Sequence, residues 1–195
     1  MSNILLLIGI IAIGLIILAG CKITFTKSPN RIKKENEQKK LTENPYSDFR
    51  NMAFSTTPEQ LEIKQNDSIL SVFGCIVDWC SGQNVVTIVS FQTGDVSMYL
   101  SSGQIYIGGS GHESIKSVGL ELIKEASLNF NSTHYTNNYT LPSKDNIKFY
   151  LVTNKGKYLA TESFENMKNE NSIWLKSFNL VNNIISNYRQ INENQ

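Results

Sequence analysis

Histidine is almost missing from this chain: His112 and His134 are the only two in 195 residues. No H-x-x-x-H or H-E-x-x-H pair exists, so no helix carries a ready-made zinc site, and no metal ligands are assigned. Cysteine is scarce too, limited to Cys21, Cys75 and Cys80. The absence of C-x-x-C excludes a zinc knuckle and a thioredoxin-like redox pair. Charge of one sign is lacking: the net is +1, so nothing draws the chain as a whole to nucleic acid. No Gly-Lys-Ser/Thr follows a glycine-rich turn, which excludes a P-loop. Nor does any lysine or arginine precede the first apolar run, where Met1, Ser2 and Asn3 form the whole flank.

That run is the most informative feature present. Positions 4 to 19 are apolar without one charge. Its length lies between the roughly 7–15 residues of a signal-peptide apolar region and the roughly 20 that span a bilayer. Nothing polar along it makes it amphipathic, so a buried core helix is disfavoured. It closes on Leu18-Ala19-Gly20-Cys21, which resembles the lipobox of bacterial lipoproteins. The resemblance implies cleavage before Cys21, lipid on its sulfur, and a domain held at the bacterial cell envelope through membrane lipid. The flanks point the other way. Lys22, Lys27, Arg31, Lys33, Lys34, Lys39 and Lys40 all follow the run, and such a flank prefers the cytoplasm. On that alternative residues 1–21 are an uncleaved helix with a cytoplasmic domain behind it.

Residues 22–46 are polar, with Pro29 and Pro45, and read as a flexible basic linker. Residues 47–190 read as one α/β domain and 191–195 as a frayed tail. Asp48 to Phe54 fits one or two helical turns with Phe49 and Met52 inward. Thr57-Pro58-Glu59-Gln60 is a helix start with a capping box. Ile69 to Trp79 reads as a strand that ends in a turn at Cys80-Ser81-Gly82-Gln83. Val85 to Phe91, apolar on both faces, suits a central strand covered on two sides. Asp95 to Leu100 alternates, and Ile105 and Ile107 extend it or form a short strand of their own. Ile115, Val118, Gly119, Leu122, Ile123, Ala126 and Phe130 recur at helical spacing, as do Trp174, Phe178, Val181, Ile185 and Tyr188. Between them lie an Asn- and Thr-rich loop at 131–146, a strand from Ile147 to Thr153, a turn at Asn154-Lys155-Gly156 and a return strand from Lys157 to Ser163.

The expected fold is α+β: one antiparallel sheet of about five strands, in the order α-βββ-α-ββ-α, packed by two long helices. This arrangement resembles the profilin-like and roadblock/longin-type sandwiches. The stretches Asn51 to Gln60, Val86 to Asp95 and Phe149 to Tyr158 are similar to a bacterial family of uncharacterised small proteins. That likeness covers roughly residues 48–188 and brings no catalytic residues with it.

Gly108-Gly109-Ser110-Gly111-His112 is the candidate ligand-binding segment, because it precedes a helix whose free N–H groups can meet an anion. Ser110 and Glu113 also fit S-x-x-E, a capping box that would place a carboxylate at that helix end. His112 stands where a nucleophile elbow needs its last glycine, so that motif is excluded. Cys75 and Cys80 are odd-spaced on a strand and point to opposite faces, where a disulfide closes only across a bulge. Cys75 and Asp78 diverge in the same way, which argues against a Cys75/His112/Asp78 triad, and Asp78 beside Trp79 reads as a turn residue. Asp95 and Glu113 read as turn and cap rather than as paired carboxylates. Tyr99, Tyr106, Tyr135 and Tyr139 could line one binding face, without the interleaved cations that single-stranded nucleic acid needs.

No catalytic residues and no cofactor are assigned. The primary expectation is a membrane-anchored, non-catalytic binding or scaffold module with a protein partner, met on a sheet edge or around Tyr99 to Tyr106. The alternative is an envelope ligand-binding lipoprotein or enzyme using a pocket near Gly108 to His112. An immunity-type protein against a secreted toxin is a third.

Overall fold

The computed structural model describes residues 44–66 and 68–193. The anchor at 1–21, with Cys21, and nearly all of the linker lie outside the described residues. Among the described residues no helix is long and apolar enough to cross a membrane.

Helix α1 (Tyr46–Ser55) leads into strands β1 (Val72–Ser81), β2 (Asn84–Phe91), β3 (Val96–Leu100) and β4 (Ile105–Tyr106). Helix α2 (Glu113–Leu128) follows, then β5 (His134–Thr136), β6 (Asn146–Thr153) and β7 (Gly156–Ser163). The short α3 (Phe164–Lys168) and the long α4 (Leu175–Glu193) complete the chain. Among the described residues all strands join one antiparallel sheet in the order β4-β3-β2-β1-β6-β7-β5. The α+β class and the antiparallel sheet are as expected, but the sheet has seven strands rather than about five. The two additional strands are its edges. β4 pairs only through Met98↔Tyr106 and Tyr99↔Ile105. β5 lies in the Asn- and Thr-rich stretch, where no apolar alternation marks a strand.

The sheet is covered on both faces. Cys75, Val77, Ile88, Met98, Ile147 and Phe149 meet the apolar stripes of α2 and α4. Those helices run antiparallel: Lys176 Nζ bonds Glu125 Oε2 at one end (2.7 Å) and Asn187 Nδ2 bonds the Ser114 carbonyl at the other (3.1 Å). Gly119 allows α2 to approach closely, because a Cβ there would collide with Val96 Cγ2 and lie 2.7 Å from Ser90 Oγ. On the opposite face Ile76, Val85, Val89, Tyr99, Tyr150 and Val152 pack under α1 through Tyr46, Ala53 and Phe54. This two-sided cover explains why β2 reads as apolar throughout.

The N-terminal helices differ in size from the expectation. Thr57 and Gln60 do form the reciprocal bonds of a capping box (2.9 and 3.4 Å), but it opens only a 3-10 turn at Glu59–Leu61, ended by Glu62 with φ of 56°. The substantial helix is α1, whose buried positions are Tyr46, Arg50, Ala53 and Phe54. Met52, expected inward, is exposed, while Phe49 packs against the core. Tyr46, placed at the end of the linker, is buried, and Ile191 to Glu193, placed in the tail, continue α4.

Candidate functional site

The glycine-rich segment Gly108 to His112 connects β4 to α2. Gly108 adopts φ of 78°, Gly109–Gly111 is a single 3-10 turn, and the Gly111 N–H bonds the Gly108 carbonyl at 3.0 Å. Gly109 is buried, and a Cβ on it would come within 2.5 Å of the Tyr188 hydroxyl and 2.8 Å of the Val96 carbonyl. Close packing therefore accounts for this glycine. The expected capping box does not form. Residue 112, not Ser110, stands at the N-cap of α2, and it offers no side-chain cap. The turn at Gly109–Gly111 takes up the chain that the box would need.

His112 lines a shallow pocket of about 280 Å³ with Ile105, Tyr106, Ile107, Tyr188, Ile191 and Asn192. Tyr188 donates its hydroxyl to the Val96 carbonyl (2.8 Å), and burial pushes its pKa up. Its proton is thus committed to that carbonyl rather than to His112. His134 lies on edge strand β5, at the far side of the sheet from β4. Among the described residues no group of three or more His, Cys, Asp or Glu side chains is arranged to hold a metal ion.

The residue that sequence reasoning misplaced is Asp78. It is no turn residue: β1 runs on to Ser81, and Asp78 is fully buried in the strand on the face under α1. Its carboxylate accepts from Arg50 Nε (3.2 Å to each oxygen), from Arg50 Nη2 (2.5 Å) and from Thr87 Oγ1 (2.6 Å). Thr87 has committed its proton to Asp78, so Tyr46 donates its hydroxyl to Thr87 at 2.9 Å. Lys148, the cross-strand partner of Asp78 on β6, donates to the Thr140 carbonyl (2.8 Å) and hydroxyl (3.0 Å).

The electrostatics follow from this geometry. Burial alone would lower the Arg50 pKa, but the hydrogen bonds and charge of Asp78 more than offset it and hold it above its ordinary value. Tyr46 is pushed up to about 12 by burial, with the Asp78 charge adding to the effect. Tyr150 rises for the same two reasons. Burial lowers Lys148, with Asp78 acting against that and Arg50 with it. The Arg50 guanidinium also lies 4.7 Å from the Phe54 ring centroid. Both charges of the pair are enclosed, and Arg50 and Thr87 engage both carboxylate oxygens. This cluster clamps α1 to the sheet rather than presenting a reactive group. One sequence signal could have found it: Arg50 stands in the stripe Tyr46, Ala53, Phe54, where a cation needs a buried partner.

The remaining candidates separate. Cys75 lies in the core under α2 and α4, while Cys80 packs on the α1 face, so the two free thiols diverge as their spacing predicts. Burial pushes the Cys75 thiol up to about 12, far from a reactive thiolate. Asp78 likewise faces away from Cys75. Asp95 stays in its turn, accepting from Thr93 Oγ1 at 2.6 Å. The four tyrosines do not share a face: Tyr99 and Tyr139 pack on the α1 side, Tyr106 on the other, and Tyr135 is exposed on β5.

A second groove carries no motif in the sequence. It holds about 240 Å³ between α4 and the end of the sheet formed by β1 to β4, lined by Trp79, Ser81, Val86, Met98, Leu100, Gln104, Tyr106, Ile185 and Arg189. Its residues span positions 79 to 189, so only the folded topology assembles it. Compared with known proteins, the chain matches no family model, no curated protein and no solved structure.

Proposed function

We propose that this chain is a non-catalytic binding module tethered at a membrane, with residues 1–21 as the anchor, Cys21 as its lipidated residue and the domain from residue 44 onward meeting a protein partner. The observation that carries this reading is the disposition of the ionisable groups. Arg50 and Asp78 neutralise each other inside the protein, the Cys75 thiol is buried, and His112 shares its pocket with a tyrosine that is hydrogen-bonded elsewhere. Such an arrangement supports binding over turnover.

The sheet edges are poor templates for an added strand, since β4 has two residues and β5 three. Tyr99 is buried and offers no contact surface. A better surface for a protein is the corner where Asn129 Nδ2 bonds the Ile173 carbonyl (3.0 Å), because both Ile173 and Leu128, the residue before Asn129, are exposed there. The likeness to profilin-like and roadblock/longin-type sandwiches belongs to the same proposal. It is supported by one antiparallel sheet with helices packed on it, and by nothing at the level of a site.

Metabolic labelling with a palmitate analogue tests the anchor. Wild type is expected to take up label and Cys21→Ser to lose it, while label retained by Cys21→Ser overturns the lipoprotein assignment. Affinity capture from membranes tests the module. A specific partner lost on Leu128→Lys and Ile173→Lys supports the corner, and a partner retained by both substitutions overturns it. The alternative, an envelope ligand-binding lipoprotein or enzyme using Gly108 to His112, is favoured by one observation, the pocket beside His112. It predicts a soluble ligand whose binding is lost on His112→Ala.

A further inference from the structure

The groove beside α4 stands apart from the protein-partner reading and does not depend on it. Trp79, Val86, Met98, Leu100, Tyr106 and Ile185 give it apolar walls, half-buried or buried in the fold. Its polar residues, Ser81, Gln104 and Arg189, are all exposed and so mark its mouth. Arg189 is the only charged side chain of the lining among the described residues. Among the described residues it belongs to no ion pair; the pairs are Arg50–Asp78, Lys168–Glu165 and Lys176–Glu125. Glu193, one helical turn further on, is in none of these pairs.

We infer that this groove binds a small monocarboxylate with an apolar ring or chain, the carboxylate pairing with Arg189 and the body lying between Ile185 and the Trp79–Val86–Leu100 wall. Size, the guanidinium fork and charge balance select this class. First, the volume of about 240 Å³ falls just short of the roughly 300–1,000 Å³ of drug-sized pockets, so the occupant has about ten non-hydrogen atoms. Second, a guanidinium fork matches a carboxylate in two parallel hydrogen bonds, and an unpaired arginine at the mouth of an apolar groove favours an anion over a cation. Third, a single cation balances one negative charge. A phosphate monoester, with nearly two, would leave charge uncompensated against hydrocarbon.

The purified full chain in detergent is titrated by calorimetry with 3-phenylpropanoate, 3-phenylpropanol and 3-phenylpropylamine. The acid is expected to bind saturably by about 1 mM, as befits a ligand of this size, with the alcohol weaker and the amine silent. Arg189→Gln, at an exposed position, is expected to weaken the acid at least about tenfold and to leave the alcohol unchanged. Val86→Trp fills the groove and is expected to abolish both. A thermal melt shows whether Val86→Trp remains folded, and if it does not, Arg189→Gln decides alone. Absence of acid binding, amine binding as strong as that of the acid, or an Arg189→Gln variant that binds the acid like wild type would each overturn the assignment.

Discussion

Strand β1 sends Cys75 and Val77 toward α2 and α4, and Ile76 and Asp78 toward α1. Apart from that alternation the two faces are made differently. The α2/α4 face is nearly all hydrocarbon and aromatic ring, with Phe149 stacked on Trp174 at 4.7 Å between centroids. The α1 face places an ion pair, two hydroxyls and a lysine among aromatic rings. Apolar packing is graded, because each side chain contributes in proportion to the area it buries. A buried ionic cluster is not graded: with every member satisfied it is close to neutral against a hydrocarbon core, and with one member removed it is worse than either. The two long helices are therefore held by many small contributions, whereas α1 adds to its packing through Tyr46, Ala53 and Phe54 a single charge pair that costs most when half removed.

The largest expected effect exposes that asymmetry. Arg50→Ala leaves Asp78 charged and unpaired in a fully buried site, and is expected to cost about 3–5 kcal/mol. The double substitution Arg50→Met with Asp78→Leu removes both charges and is expected to recover most of the loss. Urea unfolding of the full chain and the two variants measures both. A loss below about 1 kcal/mol for Arg50→Ala would place the pair among exposed salt bridges and dissolve the contrast between the faces.

On the hydrocarbon face the corresponding weak point is steric. Gly119→Ala gains about 1 kcal/mol of helix propensity and is still expected to destabilise. Its methyl group meets Val96 and Ser90, and overpacking of this kind costs about 1–3 kcal/mol. Thermal unfolding gives the sign directly, and a raised midpoint would mean that α2 can lift off the sheet without penalty.

The same contrast explains what the sequence made legible. The stripes of α2 and α4, the doubly apolar β2, the hairpin at Asn154 to Gly156 and the divergence of Cys75 from Cys80 all follow from periodicity, which is a local property. The α1 face is where local reading failed. Arg50 interrupts the stripe that would have marked α1 at its full length, and Asp78 imitates a turn residue because its partners lie 28 residues before it and 9 after it. At the candidate site, the position of Gly108 to His112 ahead of α2 was legible. The fitted S-x-x-E pattern was not decisive, because the start of a helix depends on where the preceding turn lets the chain go. The groove at Arg189 had no local signal, since five elements contribute its walls.

The smallest effect sharpens the comparison within the α1 cluster itself. Tyr46→Phe removes one hydrogen bond, that of its hydroxyl to Thr87, while Thr87 keeps its own bond to Asp78. No charge is orphaned, so the loss is expected to be about 1 kcal/mol at neutral pH. Its pH dependence separates it from a simple packing defect. The folded protein holds the Tyr46 proton more tightly than the unfolded chain, at about 12 against 10.0. The stability this gives wild type is fully present below pH 10 and is lost as pH rises through 12. Phenylalanine has no proton to release, and the alkaline losses from Cys75, Tyr99, Tyr150 and Tyr188, whose pKa values burial also raises, are common to both proteins. That difference in pKa outweighs a gap of about 1 kcal/mol, so the gap between wild type and Tyr46→Phe is expected to narrow above pH 10, close at about pH 11 and reverse before pH 12 in paired urea titrations. A gap of constant size across that range would mean that the phenol is already solvated, and that α1 is held by Arg50 and Asp78 with no help from the hydroxyls around them.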